Sequence, residues 1–311
     1  METRKTLSIV VPVYFNEGSL PLLFEALKAV EGQLDARRVR LELILVDDGS
    51  GDGSFNEMMK IKAQREATKV IRLTRNFGSM RALKVGCQFV TGECFTFLSA
   101  DMQDPPALIP RMVERWLNGA KYVVCKREGR DDPWSSRLFS YLYYRLIRLL
   151  VVKDYPPGGF DMALMDSAML RHIQKSSKNL FTPLLGFWLG YKPEFISYHR
   201  QKRVHGKSRW TFFKKFNAFL DAILGFSVTP LRFFSLVGVV VSLASFSYAA
   251  WIVFYALFVK KDVPGFATLA VLISFLLGLV IILLSIIGEY LWRIYDEVNK
   301  RPEAVIDEVY E

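Results

Sequence analysis

Acidic side chains follow three apolar runs in the first third of the chain, at the point where each run ends. Glu17 comes shortly after a run that closes at Val13. Asp47 and Asp48 end a second run, and Asp101 follows a third. Carboxylates bind divalent cations and accept hydrogen bonds from ribose hydroxyl groups. Each loop alone is typical of a turn, but three such loops brought together predict a site for a nucleotide and a metal ion.

The elements around these loops predict that they do lie together. Strands are predicted over residues 7–13, 41–46, 70–73 and 94–98, with helices over 19–30 and 81–90. Repeated strand–helix units indicate the α/β class, with a mainly parallel sheet and helices on both faces. Ligands of such sheets bind outside the carboxyl ends of the strands. The sequence has no GxxxxGKS/T and no GxGxxG motif, so neither a kinase-like phosphate loop nor a dinucleotide site is predicted.

Two long uncharged segments, Phe233–Val259 and Gly265–Gly288, lie near the C-terminus. Each exceeds the roughly 20 residues that a helix needs to cross a bilayer, so we expect two membrane spans. A buried helical hairpin in a soluble core is the alternative. Basic residues are frequent before the first segment and follow the second, which predicts that both chain ends are cytosolic.

Charge and cysteine content narrow the class of partner. The sequence has 41 Lys and Arg against 31 Asp and Glu, a net charge of +10, which suits phosphate-bearing partners. The predicted spans favour membrane lipid over nucleic acid. Its 3 cysteines form no CxxC pair, so neither a disulfide framework nor a zinc site is predicted, and a reducing compartment fits.

The domain organisation follows from these segments. We expect a cytosolic catalytic domain over residues 1–208, an amphipathic helix over 209–230, spans over 231–260 and 264–289, and a cytosolic tail over 290–311. Apolar residues spaced by three and four in Trp210–Leu224 suit a helix in the headgroup plane, and Trp134–Val152 has the same character. Ordinary packing on the sheet is the alternative for both helices. The acidic tail is either solvated or bound to a neighbouring subunit of a homo-oligomer.

Several motifs together resemble those of a known family. Four of them are Val10–Glu17, Val46–Ser50, Arg75–Gly78 and Ala100–Pro106, and the similarity continues through Gly159–Asp161 and Arg203–Trp210 to the paired apolar segments. They resemble family 2 glycosyltransferases of the A-type, Rossmann-like fold. More narrowly, they are similar to the polyprenyl-phosphate glycosyltransferases, which include dolichyl-phosphate mannose synthases, aminoarabinose transferases and the bacterial GtrB-type glucosyltransferases.

The resemblance implies a role for each acidic loop. Pro12, Tyr14 and Glu17 would contact the uridine or its ribose. Asp47 and Asp48 would bind on the base and ribose side.

For the loop after the third run, the resemblance implies that Asp101 and Gln103 hold Mg²⁺ or Mn²⁺ against the diphosphate, which makes Asp101 catalytic. Many relatives have Asp-x-Asp where this chain has Ser99-Ala100-Asp101. The metal would then depend more on substrate phosphate and water, which Mg²⁺ commonly accepts. The form with Ser99 is more similar to the bacterial glucosyltransferases than to the mannose synthases, which favours UDP-glucose as the predicted donor.

The implied reaction is the inverting transfer of a hexose to the phosphate of a polyprenyl phosphate at a bacterial-type plasma membrane. A phosphate monoester has a second pKa of about 6, so the acceptor is already an effective nucleophile at neutral pH and needs orientation by cations. Arginine suits phosphate oxygens. The candidates are Arg127, Arg203, Ser208 and Arg209, against the alternative of a solvated basic face. Asp161 is the candidate carboxylate near the anomeric carbon.

Other functions stay open at this point. Mannose synthase and aminoarabinose transferase activities use the same architecture, and a processive polysaccharide synthase would need more spans. A membrane scaffold or lipid carrier with an inactive nucleotide fold is the non-enzymatic alternative. Uncharged span interiors count against a carrier, because carriers need a polar path through the bilayer.

Overall fold

The computed structural model describes residues 4–128, 134–177, 182–199, 222–258 and 265–311. Three predicted acceptor-site residues, Arg203, Ser208 and Arg209, lie outside these ranges, as does most of the predicted helix over 209–230. The chain divides into two compact units. The first comprises Met1–Gly225 together with Pro302–Glu311, and the second comprises Phe226–Arg301.

The described residues of the first unit form one 8-stranded sheet. Its strands are β1 (Lys5–Val13), β2 (Val39–Asp47), β3 (Thr68–Leu73), β4 (Cys94–Phe97), β5 (Tyr122–Arg127), β6 (Phe160–Asp166), β7 (Glu194–Tyr198) and β8 (Ile306–Tyr310). The spatial order is β7-β5-β6-β4-β1-β2-β3-β8. Parallel pairing joins β4, β1, β2 and β3, and also β5 and β7, whereas β6 and β8 are antiparallel to their neighbours. The predicted, mainly parallel sheet is confirmed.

Helices cover both faces of this sheet. They are α1 (Leu20–Asp35), α2 (Ser54–Gln64), α3 (Ser79–Gly86), α4 (Ile109–Leu117), α5 (Trp134–Leu150), α6 (Ser167–Gln174) and α7 (Thr182–Trp188). Successive residues of β1 serve opposite cores: Ile9 packs with the α1 and α4 side, and Val10 packs with Ala82 of α3. Burial on both faces explains why β1 and β2 are nearly continuous apolar runs.

The strand order contains a topological switch point beside β1. From β1 the chain passes to β2 and β3 on one side, and then returns to β4 on the other side of β1. The loops after β1 and β4 therefore diverge at a topological switch point, and we call the region between them, at the carboxyl ends of the strands, the crevice. The predicted acidic loops follow β1, β2 and β4 at this edge.

The last residues are part of the first unit. The predicted tail over 290–311 was expected to be solvated or bound to a neighbouring subunit, but β8 adds to the free edge of β3, with Val309 opposite Ile71. Glu303 accepts a 2.5 Å hydrogen bond from the buried ammonium of Lys84. Acidic residues on an exposed edge strand resemble a solvated tail in sequence, which explains the error.

The second unit contains two long helices, α8 (Thr229–Phe258) and α9 (Phe266–Val298), the latter continuing past the predicted end at 289. Their segments Leu231–Phe254 and Phe275–Val298 are long and apolar enough to cross a membrane, and 0% of either segment is buried within the chain. A core helix of a soluble protein would be mostly buried. The hydroxyl groups of Ser235, Ser247 and Ser285 donate to the carbonyl oxygen four residues earlier, at 2.8–2.9 Å. Each hydroxyl therefore has a hydrogen-bond acceptor within its own helix.

Candidate active site

The loop after β1 presents aromatic rings at the crevice. Tyr14 is half-buried and meets the exposed ring of Phe15 edge-on, with centroids 4.7 Å apart. Phe15 has a φ of 57°, an uncommon conformation for a residue with a side chain. Its backbone N–H donates to Ser50 Oγ at 3.1 Å, and the N–H of Asn16 donates to Ser54 Oγ at 2.7 Å. The loop after β1 is thus fastened to the segment after β2.

Two other predicted nucleotide contacts lie on or beside this loop. Pro12 is half-buried in β1 opposite Val46 of β2. Glu17 is exposed, and its carboxylate accepts the N–H of Gly53 at 3.1 Å, directly before α2. An anion is favoured at a helix N-terminus, so this contact stabilises α2. The predicted ribose contacts of Pro12 and Glu17 stay predictions.

Asp48 holds the loop that follows β3. Its carboxylate accepts the N–H groups of Phe77 at 2.7 Å and Gly78 at 2.9 Å, and the side-chain amide of Asn76 at 3.1 Å. Burial raises the pKa of Asp48, although the two backbone hydrogen bonds act in the opposite direction. Gly49 has a φ of +70°, and a Cβ there would lie 2.5 Å from the carbonyl carbon of Arg75. The close approach of these two loops therefore requires glycine.

Asp47 differs from Asp48 in having an oxygen that no described residue contacts by a hydrogen bond. Oδ1 accepts the N–H of Ser50 at 3.0 Å. Oδ2 is buried and has no hydrogen-bond partner among the described residues. Burial raises the pKa of Asp47, and the hydrogen bonds from Ser50 only partly offset it. A buried carboxylate oxygen without a donor is unusual in a folded protein and indicates a place for a ligand donor.

The loop after β4 orients Asp101. Ser99 Oγ donates to Asp101 Oδ1 at 2.6 Å, and the backbone N–H of Gln103 donates to the same oxygen at 3.2 Å. Met102, between them, has a φ of 61°. Two of the non-glycine residues with positive φ, Phe15 and Met102, thus lie on the two loops that border the crevice. Strained backbone is typical of functional sites.

The donor set fits a divalent ion that is completed by substrate. The described residues contain no group of three or more His, Cys, Asp or Glu side chains that could hold a metal by themselves. The Asp101 carboxylate and the Gln103 amide offer oxygen ligands, which Mg²⁺ and Mn²⁺ accept together with phosphate and water.

A second cluster lies at the same edge, on the outer strands. Arg127, at the end of β5, donates through Nε and Nη2 to both carboxylate oxygens of Asp161, near the start of β6. The hydroxyl of Tyr198, at the end of β7, donates to Asp161 Oδ2 at 2.5 Å. The side chains of Arg127 and Asp161 are only 9% and 10% exposed. Because β6 runs antiparallel to β4, its start lies beside the end of β4 that leads to Ser99.

The sequence predicts that Arg127 binds the acceptor phosphate and that Asp161 lies at the sugar, whereas in the structure the two side chains pair with each other. Arg127 Nη1 is buried without a hydrogen-bond partner among the described residues, so one donor is left for a ligand. Tyr198 was missed. Its only sequence signal is an aromatic residue with a polar tip at the end of a short strand.

Comparison with known proteins identifies the family. The pattern of "Glycosyl transferase family 2" matches residues 8–174. An uncharacterized glycosyltransferase of Synechocystis is 34% identical over 98% of this chain and 95% of its own length. The prophage bactoprenol glucosyl transferase homolog of Escherichia coli (strain K12) is 30% identical over 97% of this chain and 99% of its own.

A further relative and a solved structure are also similar to the chain. The bactoprenol glucosyl transferase of Shigella phage SfX is 30% identical over 96% of this chain and 98% of its own. Glucosyl-3-phosphoglycerate synthase from Mycobacterium tuberculosis, solved with Mn²⁺ and UDP-glucose, superposes with a TM-score of 0.49 at 16% identity, covering 70% of this chain and 79% of that one. With a family pattern over more than half its length and relatives of 30% identity along nearly all of it, the chain belongs to glycosyl transferase family 2 and is a glycosyltransferase.

Proposed function

We propose that the chain transfers glucose from UDP-glucose, with inversion at the anomeric carbon, to the phosphate of a polyprenyl phosphate at the cytosolic face of a membrane. The observation that carries the proposal is the near-full-length similarity to proteins named bactoprenol glucosyl transferase. The similarity extends over the apolar helices α8 and α9 as well as the catalytic unit. A lipid acceptor explains why a nucleotide-binding unit and two such helices share one chain.

The donor nucleotide is held at the carboxyl ends of β1 and β2. The rings of Tyr14 and Phe15 offer a surface on which the base stacks. Oδ2 of Asp47, which has no partner among the described residues, accepts an N–H of the base or a hydrogen bond from a ribose hydroxyl. Pro12, Glu17 and Asp48 border the same loops, and Asp48 acts by holding the loop after β3 in place.

The diphosphate lies towards the loop after β4. Asp101, with Gln103, would hold Mg²⁺ or Mn²⁺ there. When bound, that ion supplies Lewis-acid stabilisation of the negative charge on the departing UDP. The chain's own contribution is to fix the carboxylate, which Ser99 does through its 2.6 Å hydrogen bond.

The acceptor phosphate attacks from the side of β5 and β6. Arg127 Nη1, buried and lacking a partner among the described residues, donates to a phosphate oxygen. Arg203, Ser208 and Arg209 are assigned to the same phosphate on sequence alone. Asp161 faces the sugar and stabilises positive charge that develops at the anomeric carbon. An oxygen of the acceptor phosphate forms the new bond to that carbon as the bond to UDP breaks. Because this phosphate is already largely deprotonated at neutral pH, no protein base is required.

Membrane insertion is part of the proposal. Segments Leu231–Phe254 and Phe275–Val298 cross the bilayer, and the basic residues that flank them keep the catalytic unit cytosolic. The polyprenyl phosphate headgroup lies at the cytosolic surface of this bilayer.

The test is lipid labelling with parallel donors. Membranes that contain the full chain are incubated with polyprenyl phosphate and radiolabelled UDP-glucose, GDP-mannose or UDP-aminoarabinose, and label is counted in the organic phase. We expect label from UDP-glucose alone, and its reduction by about three orders of magnitude in Asp101→Ala. Label from another donor would overturn the assignment to glucose. Absence of lipid label from all three would overturn the proposed reaction.

A further inference from the structure

Asp161 has a second partner besides Arg127 that no sequence motif indicated. The hydroxyl of Tyr198 lies 2.5 Å from Asp161 Oδ2 and donates to it. Arg127 and Tyr198 are register partners on the parallel strands β5 and β7, so their side chains project on the same face. Two donors from two strands therefore converge on one carboxylate from a third.

Tyr198 is held rigidly. Only 6% of it is exposed, and its ring packs in the same core cluster as Ile196 and Met162. The hydroxyl cannot swing away from Asp161 without disturbing that core. Side chains fixed by strands and core packing position a reactive group more accurately than side chains on loops.

We propose that Tyr198 is a positioning residue for the transfer reaction: together with Arg127 it keeps the Asp161 carboxylate ionised and aimed at the sugar. The inference rests on the proposed function, because it needs the role of Asp161 at the anomeric carbon. Tyr198 itself does not touch the reacting atoms.

The physical reason is that both contacts are donors. A hydrogen bond to the ionised form of a carboxyl group favours that form, as does a neighbouring cation. Burial, reinforced by the charge of Asp161, raises the pKa of Tyr198 far above its usual range, so its hydroxyl stays a donor at any physiological pH. Among the described residues, the charged or titratable groups that interact with this cluster include Asp104, from the loop after β4, Tyr144 of α5, Tyr155, and Cys125 of β5.

The test compares Tyr198→Phe with Tyr122→Phe in the full chain embedded in membranes. Tyr122 is another buried tyrosine of the same sheet, on the opposite face from Arg127, and its ring packs on Phe187 at 5.2 Å. For each variant, kcat, both KM values and the pH profile are measured, and thermal melting verifies folding. A further cycle places Tyr198→Phe in the Asp161→Asn background.

For Tyr198→Phe we expect kcat to fall about tenfold at neutral pH, because one hydrogen bond to a charged group is lost. We expect the KM values to change by less than about twofold, and the acid limb of the profile to move up by about one pH unit. In the Asp161→Asn background the same substitution should cost no further activity. Tyr122→Phe should keep the wild-type profile.

Any of four results would overturn the inference. A Tyr198→Phe enzyme with the wild-type kcat and pH profile would show that the hydroxyl is not needed. An undiminished loss in the Asp161→Asn background, or an equal loss in Tyr122→Phe, would indicate a merely structural role. A wild-type chain that transfers no hexose to lipid would overturn the proposed function, and this inference with it.

Discussion

Strand β2 contains two buried carboxylates, Glu42 and Asp47, that differ in how completely their oxygens are hydrogen-bonded. Both oxygens of Glu42 are satisfied: Ser8 Oγ donates at 2.5 Å, the N–H and hydroxyl of Thr91 donate at 3.0 Å and 2.8 Å, and Lys69 forms an ion pair at 3.0 Å. We call Ser8, Glu42, Lys69 and Thr91 the Glu42 cluster. Asp47, at the carboxyl end of the same strand, is also buried but keeps one oxygen without a partner among the described residues.

The pKa shifts follow this difference. Burial alone would raise the pKa of Glu42, but the hydrogen bonds from Ser8, Thr91 and Lys69 outweigh it and the net shift is downward. At Asp47 the hydrogen bonds from Ser50 do not outweigh burial, and the pKa is raised. Burial raises the pKa of both groups, and the net sign depends on whether the hydrogen bonds at each group outweigh it. A carboxylate with its donors supplied by the fold stabilises the protein, whereas a buried carboxylate with fewer donors is a candidate for ligand binding.

Asp47→Asn tests the functional side of this comparison. We expect the affinity for UDP to fall about 10- to 100-fold, because the amide nitrogen that replaces Oδ2 cannot accept the ligand's hydrogen bond. At neutral pH the fold should gain of the order of 1 kcal/mol, since an ionised group with a raised pKa is removed. Calorimetric titration with UDP and thermal melting measure the two effects. Undiminished UDP affinity would contradict the assignment of Asp47 to the nucleotide.

Glu42→Gln tests the structural side, with the opposite signature. Glutamine cannot accept all the hydrogen bonds that the carboxylate does, so we expect the free energy of unfolding to fall by about 2–3 kcal/mol. UDP affinity, measured well below the melting temperature, should stay at the wild-type value. Urea unfolding of the wild-type and variant chains, followed by titration, provides both numbers. If Glu42→Gln lost UDP affinity and Asp47→Asn did not, the two roles would be reversed.

The stability difference between the wild type and Glu42→Gln should also depend on pH. Because the folded pKa of Glu42 lies below its ordinary value of 4.5, its contribution to stability is fully present above that value. The contribution disappears as the pH falls through the folded pKa. The stability difference between wild type and Glu42→Gln should therefore be constant near neutral pH and shrink below about pH 4.5.

The sequence predicts the fold around Asp47 much better than it predicts the contacts of Glu42. Strand periodicity and the acidic loops indicate the parallel sheet and the crevice, because each strand is followed directly by its loop. The Glu42 cluster has no local signature, since Ser8, Lys69 and Thr91 come from segments far apart in sequence. A lone glutamate inside an apolar strand does not indicate which donors surround it.

The pairing of the outer strands could not be predicted from the sequence for the same reason. Pairing of Arg127 with Asp161 depends on β6 entering the sheet antiparallel between β4 and β5, which no local pattern indicates. The last strand, β8, is acidic and distant from its partner β3. Long-range pairing is decided by the packing of the whole sheet, and a single sequence does not record it.

Asp101 is intermediate between Asp47 and Glu42 in the donors that the fold supplies to its carboxylate. Substitutions of Ser99 test this intermediate character. The fold supplies donors to Oδ1 from Ser99 and from the backbone of Gln103, so this carboxylate is partly fixed in advance. Ser99→Ala removes the side-chain donor, and Ser99→Thr is the matched control that retains a hydroxyl. We expect Ser99→Ala to raise the metal concentration for half-maximal activity about tenfold, because the carboxylate must be ordered at the expense of metal binding. Melting temperature should change little, since Ser99 is only partly buried. An unchanged metal requirement in Ser99→Ala would mean that Asp101 needs no donor from the fold, and that in this respect it resembles Asp47 rather than Glu42.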